Sequence, residues 1–255
     1  KISLLESAIN LNPLPPQYYI SLANAHLERV KKEIEKFPQM NQVVLTESAQ
    51  KSVDYAKKAT EISPHNIYAW ETRALVYRDL QNIAQGAEKW AESAFKKCIQ
   101  LEGTNPLFHL ELGKIYLSQN KFKEAEKEFK KALSLKSDLV EVDLQMAFLK
   151  EKKGDLKSAI KILESALKKD PLHSEILFQL GRLYYNEGDC KKAMPYLKRA
   201  ETLYPNFSNA RYVLGLCYEK EGKIKEAIEE FEKVLELNPN NQEVKEKIKE
   251  LKKRK

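Results

Sequence analysis

The chain is poor in the residues that cross-link or interrupt a fold. Its 255 residues include 3 cysteines, 8 glycines and 10 prolines. An odd cysteine count without a CxxC spacing argues against a disulfide scaffold and fits no common zinc site. The scarcity of glycine and proline favours long helices that are joined by short turns.

Long apolar runs and one-sided charge are also missing. No segment approaches the roughly 18 consecutive apolar residues that a membrane helix needs. The net charge is +7, yet lysine alternates with glutamate, as in KFKEAEKEFKK and KIKEAIEEFEK. This pattern is typical of solvated helix faces. The charge therefore gives little support to nucleic-acid binding.

The dominant feature of the sequence is a period of 34 residues. Small residues recur at this interval at Gly113, Ala147, Gly181 and Gly215. A fixed period indicates one supersecondary unit that is stacked on itself. Further columns have the same period: Leu112, Met146, Leu180 and Leu214; Ala125, Ala159, Ala193 and Ala227; and Ala132, Ala166, Ala200 and Val234.

Each period reads as two helices and two turns. In the unit 106–139, Leu112 and Tyr116 share one helical face. Asn120 lies where that helix should end, because asparagine and glycine accept the left-handed conformation of a helix terminus. Later units have glycine or proline at the turns: Gly154, Gly188 and Gly222, then Pro171, Pro205 and Pro239.

Together these residues resemble the tetratricopeptide repeat. The resemblance is strongest over 106–241, although Lys150 replaces the usual aromatic residue and His109 the usual large apolar one. It implies an all-α fold, a right-handed superhelical solenoid of antiparallel helix pairs. In this family the first helix of each pair lines a concave groove.

The upstream units are longer than the standard. The unit 67–105 has five extra residues near DLQNIAQGAE, and helices at roughly 16–36 and 42–62 should form a projecting hairpin. The segment LESAINLNP looks like the end of a second helix, so we expect the chain to be a fragment of a longer protein. The predicted elements are a truncated second helix at 1–15, repeats at 16–66, 67–105, 106–139, 140–173, 174–207 and 208–241, and a capping helix at 242–255.

One residue conflicts with this helical pattern. Pro195 lies within the second helix of the unit 174–207. Proline removes a backbone donor, so a kink or a late helix start is one expectation, and a tolerated irregularity within the helix is the preferred one.

The sequence shows no catalytic residue, metal site or cofactor site. It lacks a glycine-rich phosphate loop, an HExxH motif and a GxSxG motif. Its four histidines are spread over three units, 16–66, 106–139 and 140–173. We therefore predict that the protein is not an enzyme and has no cofactor.

The family resemblance places partner-binding residues on the first helices. Apolar and aromatic side chains there suit an extended segment or a helix with apolar anchors. Alternatively, some of these side chains, especially at the fifth position, pack against the neighbouring first helix. The candidate groove residues are Leu110, Lys114, Leu117, Leu144, Phe148, Phe178, Arg182, Tyr185 and Tyr212.

Three functions follow, in decreasing order of preference. The first is a noncatalytic scaffold that binds a peptide or helix of a partner protein. The second is the tail of a bacterial membrane protein, because the segment from Trp70 to Tyr116 resembles repeat tails of polysaccharide polymerases and O-antigen-ligase-like proteins. In that case the segment itself does not enter the membrane. The third is RNA binding, which lacks the expected basic stripe. The sequence assigns no compartment and no oligomeric state.

Overall fold

A computed structural model describes residues 2–254, which form fourteen α-helices and no β-strand. The predicted all-α repeat fold is confirmed. Lys1 and Lys255, which belong to the predicted elements 1–15 and 242–255, lie outside the described residues. The helices are α1 Ile2–Leu11, α2 Pro16–Ile34, α3 Gln42–Ile62, α4 Ile67–Asp79, α5 Ala87–Leu101, α6 Pro106–Ser118, α7 Phe122–Leu135, α8 Val140–Lys152, α9 Leu156–Lys169, α10 Ser174–Asn186, α11 Cys190–Leu203, α12 Ser208–Lys220, α13 Ile224–Leu237 and α14 Gln242–Lys253.

The helices fall into two compact units, the first ending at Ser137 and the second beginning at Asp138. In the first unit, α2 packs on α3, α4 on α5 and α6 on α7. In the second unit, α8 packs on α9, α10 on α11 and α12 on α13, and α14 covers α13. Each unit is thus a series of helical hairpins that bury their apolar faces against one another.

The period of the sequence sets the tight turns within the hairpins. Three residues join the two helices of each pair from α6 onward. One of them adopts a positive φ: Asn120, Gly154, Gly188 or Gly222. A left-handed residue of this kind ends the first helix and reverses the chain.

The small-residue column marks close contacts between the paired helices. A Cβ atom on Gly113 would lie 2.5 Å from the Phe129 ring, and one on Gly181 would lie 2.5 Å from Leu197. Each glycine therefore lets a large side chain of the second helix lie directly on the backbone of the first.

The first unit contains one pair of lengthened helices, α2 and α3. Helices α2 and α3 have 19 and 21 residues, compared with 13 and 14 in the regular pair α6 and α7. The buried Ser52 hydroxyl donates to the Ala23 carbonyl at 2.8 Å and ties the two helices together. At the tip, the Glu33 carboxylate accepts the Asn41 backbone N–H at 2.7 Å.

The repeat 67–105 is also longer than the standard, mainly because of the connection between its two helices. Seven residues separate α4 from α5, and α5 has 15 residues rather than 14. Leu80, the first residue of this connection, is fully buried. The connection therefore remains attached to the core of the first unit.

Pro195 is accommodated within its helix, and the alternative of a late helix start is wrong. Helix α11 begins at Cys190, in the same register as its equivalents, and it includes Pro195. The Asp189 side chain caps this start by accepting the Lys192 N–H at 3.0 Å. Since Pro195 is only the sixth helical residue, it deprives the first turn of a single hydrogen bond, to the Lys191 carbonyl.

His109 departs from the apolar pattern for a local reason. Its side chain is buried, and its Nδ1 lies 2.7 Å from the Glu128 Oε2 on α7. The polar side chain therefore has a hydrogen-bond partner inside the α6–α7 pair.

Candidate functional site

The second unit contains a cavity of about 890 Å³ between α8, α9 and α10. Its apolar lining consists of Leu144, Ala147, Phe148, Leu163, Phe178 and Leu183. Its polar lining consists of Glu141, Gln145, Glu151, Lys152, Glu175, Gln179 and Arg182.

The repeat frame explains the apolar wall. Leu144 and Phe148 are four residues apart on α8, so they share one helical face. Phe178 stands 34 residues after Leu144, at the equivalent position of α10. Phe178 is only 8% exposed and forms part of the floor, whereas Phe148 is 44% exposed and remains accessible.

Beside this wall, Arg182 links helix α10 to helix α8. Its Nη1 and Nη2 donate to the two oxygens of Glu151 at 2.7 and 2.6 Å. Its Nε donates to the Gln179 Oε1 at 2.8 Å. A bidentate pair of this kind is strong and directional. The guanidinium therefore holds α10 to α8 and its charge is matched by Glu151.

Two glutamate–glutamine pairs lie on the same helices. The Gln179 amide donates to the Glu175 Oε1 at 2.7 Å, and the Gln145 amide donates to the Glu141 Oε1 at 3.1 Å. The two pairs are 34 residues apart, so they occupy equivalent positions on α8 and α10. The candidate groove residues did not include these four side chains, although the repeated spacing in the sequence signals them.

A lysine lies over the accessible aromatic ring. The Lys152 Nζ is 5.2 Å from the centroid of the Phe148 ring, within the range of a cation–π contact. At such an exposed site the contact is weak, so an incoming group can displace the lysine.

Two further candidate residues of the second unit lie outside the cavity lining. Tyr185 and Tyr212 are half-buried on α10 and α12. Burial, together with a hydrogen bond donated to the Glu243 Oε1 at 2.5 Å, raises the pKa of Tyr212 to about 12. Burial also raises the pKa of Tyr185.

The remaining three candidates lie on α6, in the first unit. Leu110 and Leu117 are 3% and 7% exposed and pack in the core. The Lys114 Nζ forms an ion pair with the Glu111 Oε1 at 3.1 Å. Of the nine candidates, the structure brings Leu144, Phe148, Phe178 and Arg182 together in one cavity.

Two features that are missing from the described residues bear on the site. Across residues 2–254, no group of three or more histidine, cysteine, aspartate or glutamate side chains is arranged to hold a metal ion. Over the same residues, no helix combines the length and apolar character that spanning a membrane requires.

Comparison with sequence families matches two parts of the chain. Residues 106–139 match the tetratricopeptide repeat model. Residues 152–234 match a second sequence-family model, which is described as anaphase-promoting complex, cyclosome, subunit 3. No curated protein sequence matches the chain.

Solved structures of similar fold are repeat proteins. A tetratricopeptide repeat protein from Parabacteroides merdae shares 18% identity over 98% of this chain and 90% of its own, with a TM-score of 0.68. PilW, described as a widely conserved type IV pilus biogenesis factor, shares 16% identity over 88% and 96%, with a TM-score of 0.67. YrrB, described as having an unusual peptide-binding site, shares 20% identity over 77% and 99%, with a TM-score of 0.54.

The repeat frame, the helical hairpins and the matched models agree. Proteins with this repeat generally act as noncatalytic scaffolds for protein–protein interaction. Residues 106–139 thus match a tetratricopeptide repeat, and the described residues share the helical-repeat fold of tetratricopeptide repeat proteins.

Proposed function

We propose that the chain binds a peptide or helical segment of a partner protein in the cavity formed by α8, α9 and α10, without catalysis. The observation that carries this proposal is the accessible Phe148 ring above an apolar floor in a cavity of about 890 Å³. Apolar pockets that take an anchoring side chain are the usual centres of such interfaces. A space of this size accommodates more than one side chain.

The polar lining supports the same mode of binding. Gln179 uses one amide hydrogen for Glu175 and its carbonyl oxygen for Arg182. Its amide retains one further N–H, which is suited to a backbone carbonyl of a bound segment. The cavity thus combines apolar anchoring with a donor for main-chain recognition. The peptide-binding site described for YrrB gives a precedent in a protein of similar fold.

The test is a selection of peptides from a random 12-residue library displayed on phage, with the whole chain as bait. Binding of the selected peptides is then measured by fluorescence anisotropy for the wild type and for Phe148→Asp. We expect at least about tenfold weaker binding to the variant, because a charge replaces the anchor surface.

Tyr204→Asp is the matched control, since Tyr204 is an aromatic residue that is 59% exposed and lies outside the cavity lining. It should bind like the wild type. Circular dichroism checks that both variants keep their helix content. Equal binding of the selected peptides to wild type and Phe148→Asp would refute the proposal.

A further inference from the structure

The charges that line the cavity are separated along its length. Helices α8 and α10 are each joined to α9 by a connection of three or four residues, so both run antiparallel to α9 and parallel to each other. Glu141 and Glu175 lie in their first turns, whereas Glu151, Lys152 and Arg182 lie in or next to their last turns. One end of the cavity therefore contains only carboxylates among its charged lining residues.

The two ends differ in how their charges are matched. At the end formed by the last turns, the Arg182 guanidinium and the Glu151 carboxylate cancel each other. At the other end, Glu175 accepts the neutral Gln179 amide, which does not cancel a negative charge. A carboxylate has room for additional donors. Glu175 is thus positioned to pair with a cation carried by the occupant.

We propose that the segment bound in this cavity is basic, with an apolar side chain against Phe148 and Phe178 and a neighbouring lysine or arginine paired with Glu175. This inference rests on the proposed function, since it specifies the partner of the same site. The apolar cavity is the site, and the carboxylate end selects the charge of its occupant. The phosphates of a nucleic acid would meet the same carboxylates and be repelled.

The test compares peptides selected from the same 12-residue library on the wild type, Glu175→Lys and Glu229→Lys. Glu229 is exposed on α13 and lies outside the cavity lining, so its variant controls for net charge. We expect peptides from the wild type and Glu229→Lys to be at least about twofold enriched in lysine and arginine around an apolar residue. Peptides selected on Glu175→Lys should lose this enrichment.

Anisotropy titrations then measure one selected peptide against the wild type and Glu175→Gln. We expect about threefold weaker binding to Glu175→Gln, the size of a partly exposed ion pair. The difference should shrink when sodium chloride is raised from 50 to 300 mM, because salt screens such pairs.

The outcomes separate the two proposals. Peptides that bind Phe148→Asp as well as the wild type would overturn both. Peptides that need Phe148 but show no basic enrichment, or the same composition on Glu175→Lys, would overturn only the basic character of the partner. Phosphate-rich ligands such as single-stranded RNA that compete for the cavity would also overturn it.

Discussion

At the residue scale, Gly113 shows how closely the paired helices approach. A Cβ atom there would lie 2.5 Å from the Phe129 ring, so Gly113→Ala must displace that ring. We predict a net loss of about 1–2 kcal/mol in the free energy of unfolding, because overpacking outweighs the better helix propensity of alanine. Urea unfolding followed by circular dichroism measures it.

The neighbouring repeat supplies the control for this prediction. There the column has Ala147, and the residue equivalent to Phe129 is Leu163. Adding Phe129→Leu to Gly113→Ala should therefore cost less than the sum of the two single changes. A Gly113→Ala variant as stable as the wild type would show that the ring moves freely.

His26 makes the stability of the first unit depend on pH. It is 1% exposed and stacks on Tyr55 with ring centroids 5.6 Å apart. Burial, followed by the charges of Lys51 and Arg29, lowers its pKa below 6.5, with Glu6 acting in the opposite direction. The unfolded chain then takes up a proton more readily than the folded chain. The folding stability that depends on uncharged His26 is therefore fully present above about pH 6.5. It is lost as the pH falls through the lowered pKa.

We therefore predict that the wild type loses more stability between pH 7.5 and 5.5 than His26→Leu does. The difference in slope should reach at most about 1.4 kcal/mol per pH unit, the limit for one proton. Chemical unfolding at both pH values measures it, with the exposed His65→Leu as control. Parallel slopes for the wild type and His26→Leu would contradict the assignment.

At the element scale, one buried carboxylate organises the tip of the α2–α3 hairpin. Glu33 accepts the Asn41 backbone N–H and pairs with Lys36 at 2.8 Å. The Asn41 side chain in turn caps α3 by accepting the Val43 and Val44 N–H groups at 3.1 Å. The exit from α2 and the start of α3 are thus fixed by one short chain of hydrogen bonds.

We predict that Glu33→Ala loosens this tip without unfolding the unit. The amide of Asn41 loses its acceptor and should exchange with solvent faster. Hydrogen exchange followed by NMR measures it, and the exposed Glu35→Ala is the matched control. Unchanged protection of the Asn41 amide in Glu33→Ala would mean that the carboxylate does not hold the tip.

The elements that the sequence predicts well are those that obey the 34-residue period. There the glycine or asparagine turns fix each helix end, so the helices from α6 to α13 follow from the pattern. The start of α11 does not follow from Pro195, because the Asp189 cap outweighs a single lost hydrogen bond. The length of helices α2 and α3 follows from the apolar residues that continue in the sequence on both sides of Phe37.

The cavity is only partly predictable from the pattern. Leu144 and Phe178 follow from their shared apolar column, whereas Phe148 shares its column with Lys114 and Arg182. The pairing of Arg182 with Glu151 does not follow from the pattern, because the two residues lie on different helices. Leu110 occupies the same column as Leu144 and is nevertheless buried, because exposure depends on neighbours that a single column does not specify.

At the scale of the whole molecule, the fold specifies a kind of function rather than a biological role. The hypothesis that the chain is the tail of a bacterial polysaccharide polymerase or ligase stays a prediction from the sequence. The reading frame upstream of residue 1 tests it. Several apolar spans there would support the hypothesis, and a water-soluble domain would contradict it.

The most direct test of peptide binding in the cavity of α8, α9 and α10 is NMR of the isotope-labelled chain titrated with a peptide selected from the library. We predict that the largest chemical-shift changes fall on the cavity residues Leu144, Phe148, Phe178 and Arg182. Largest changes on the second helices α11 and α13, or within the first unit, would contradict it.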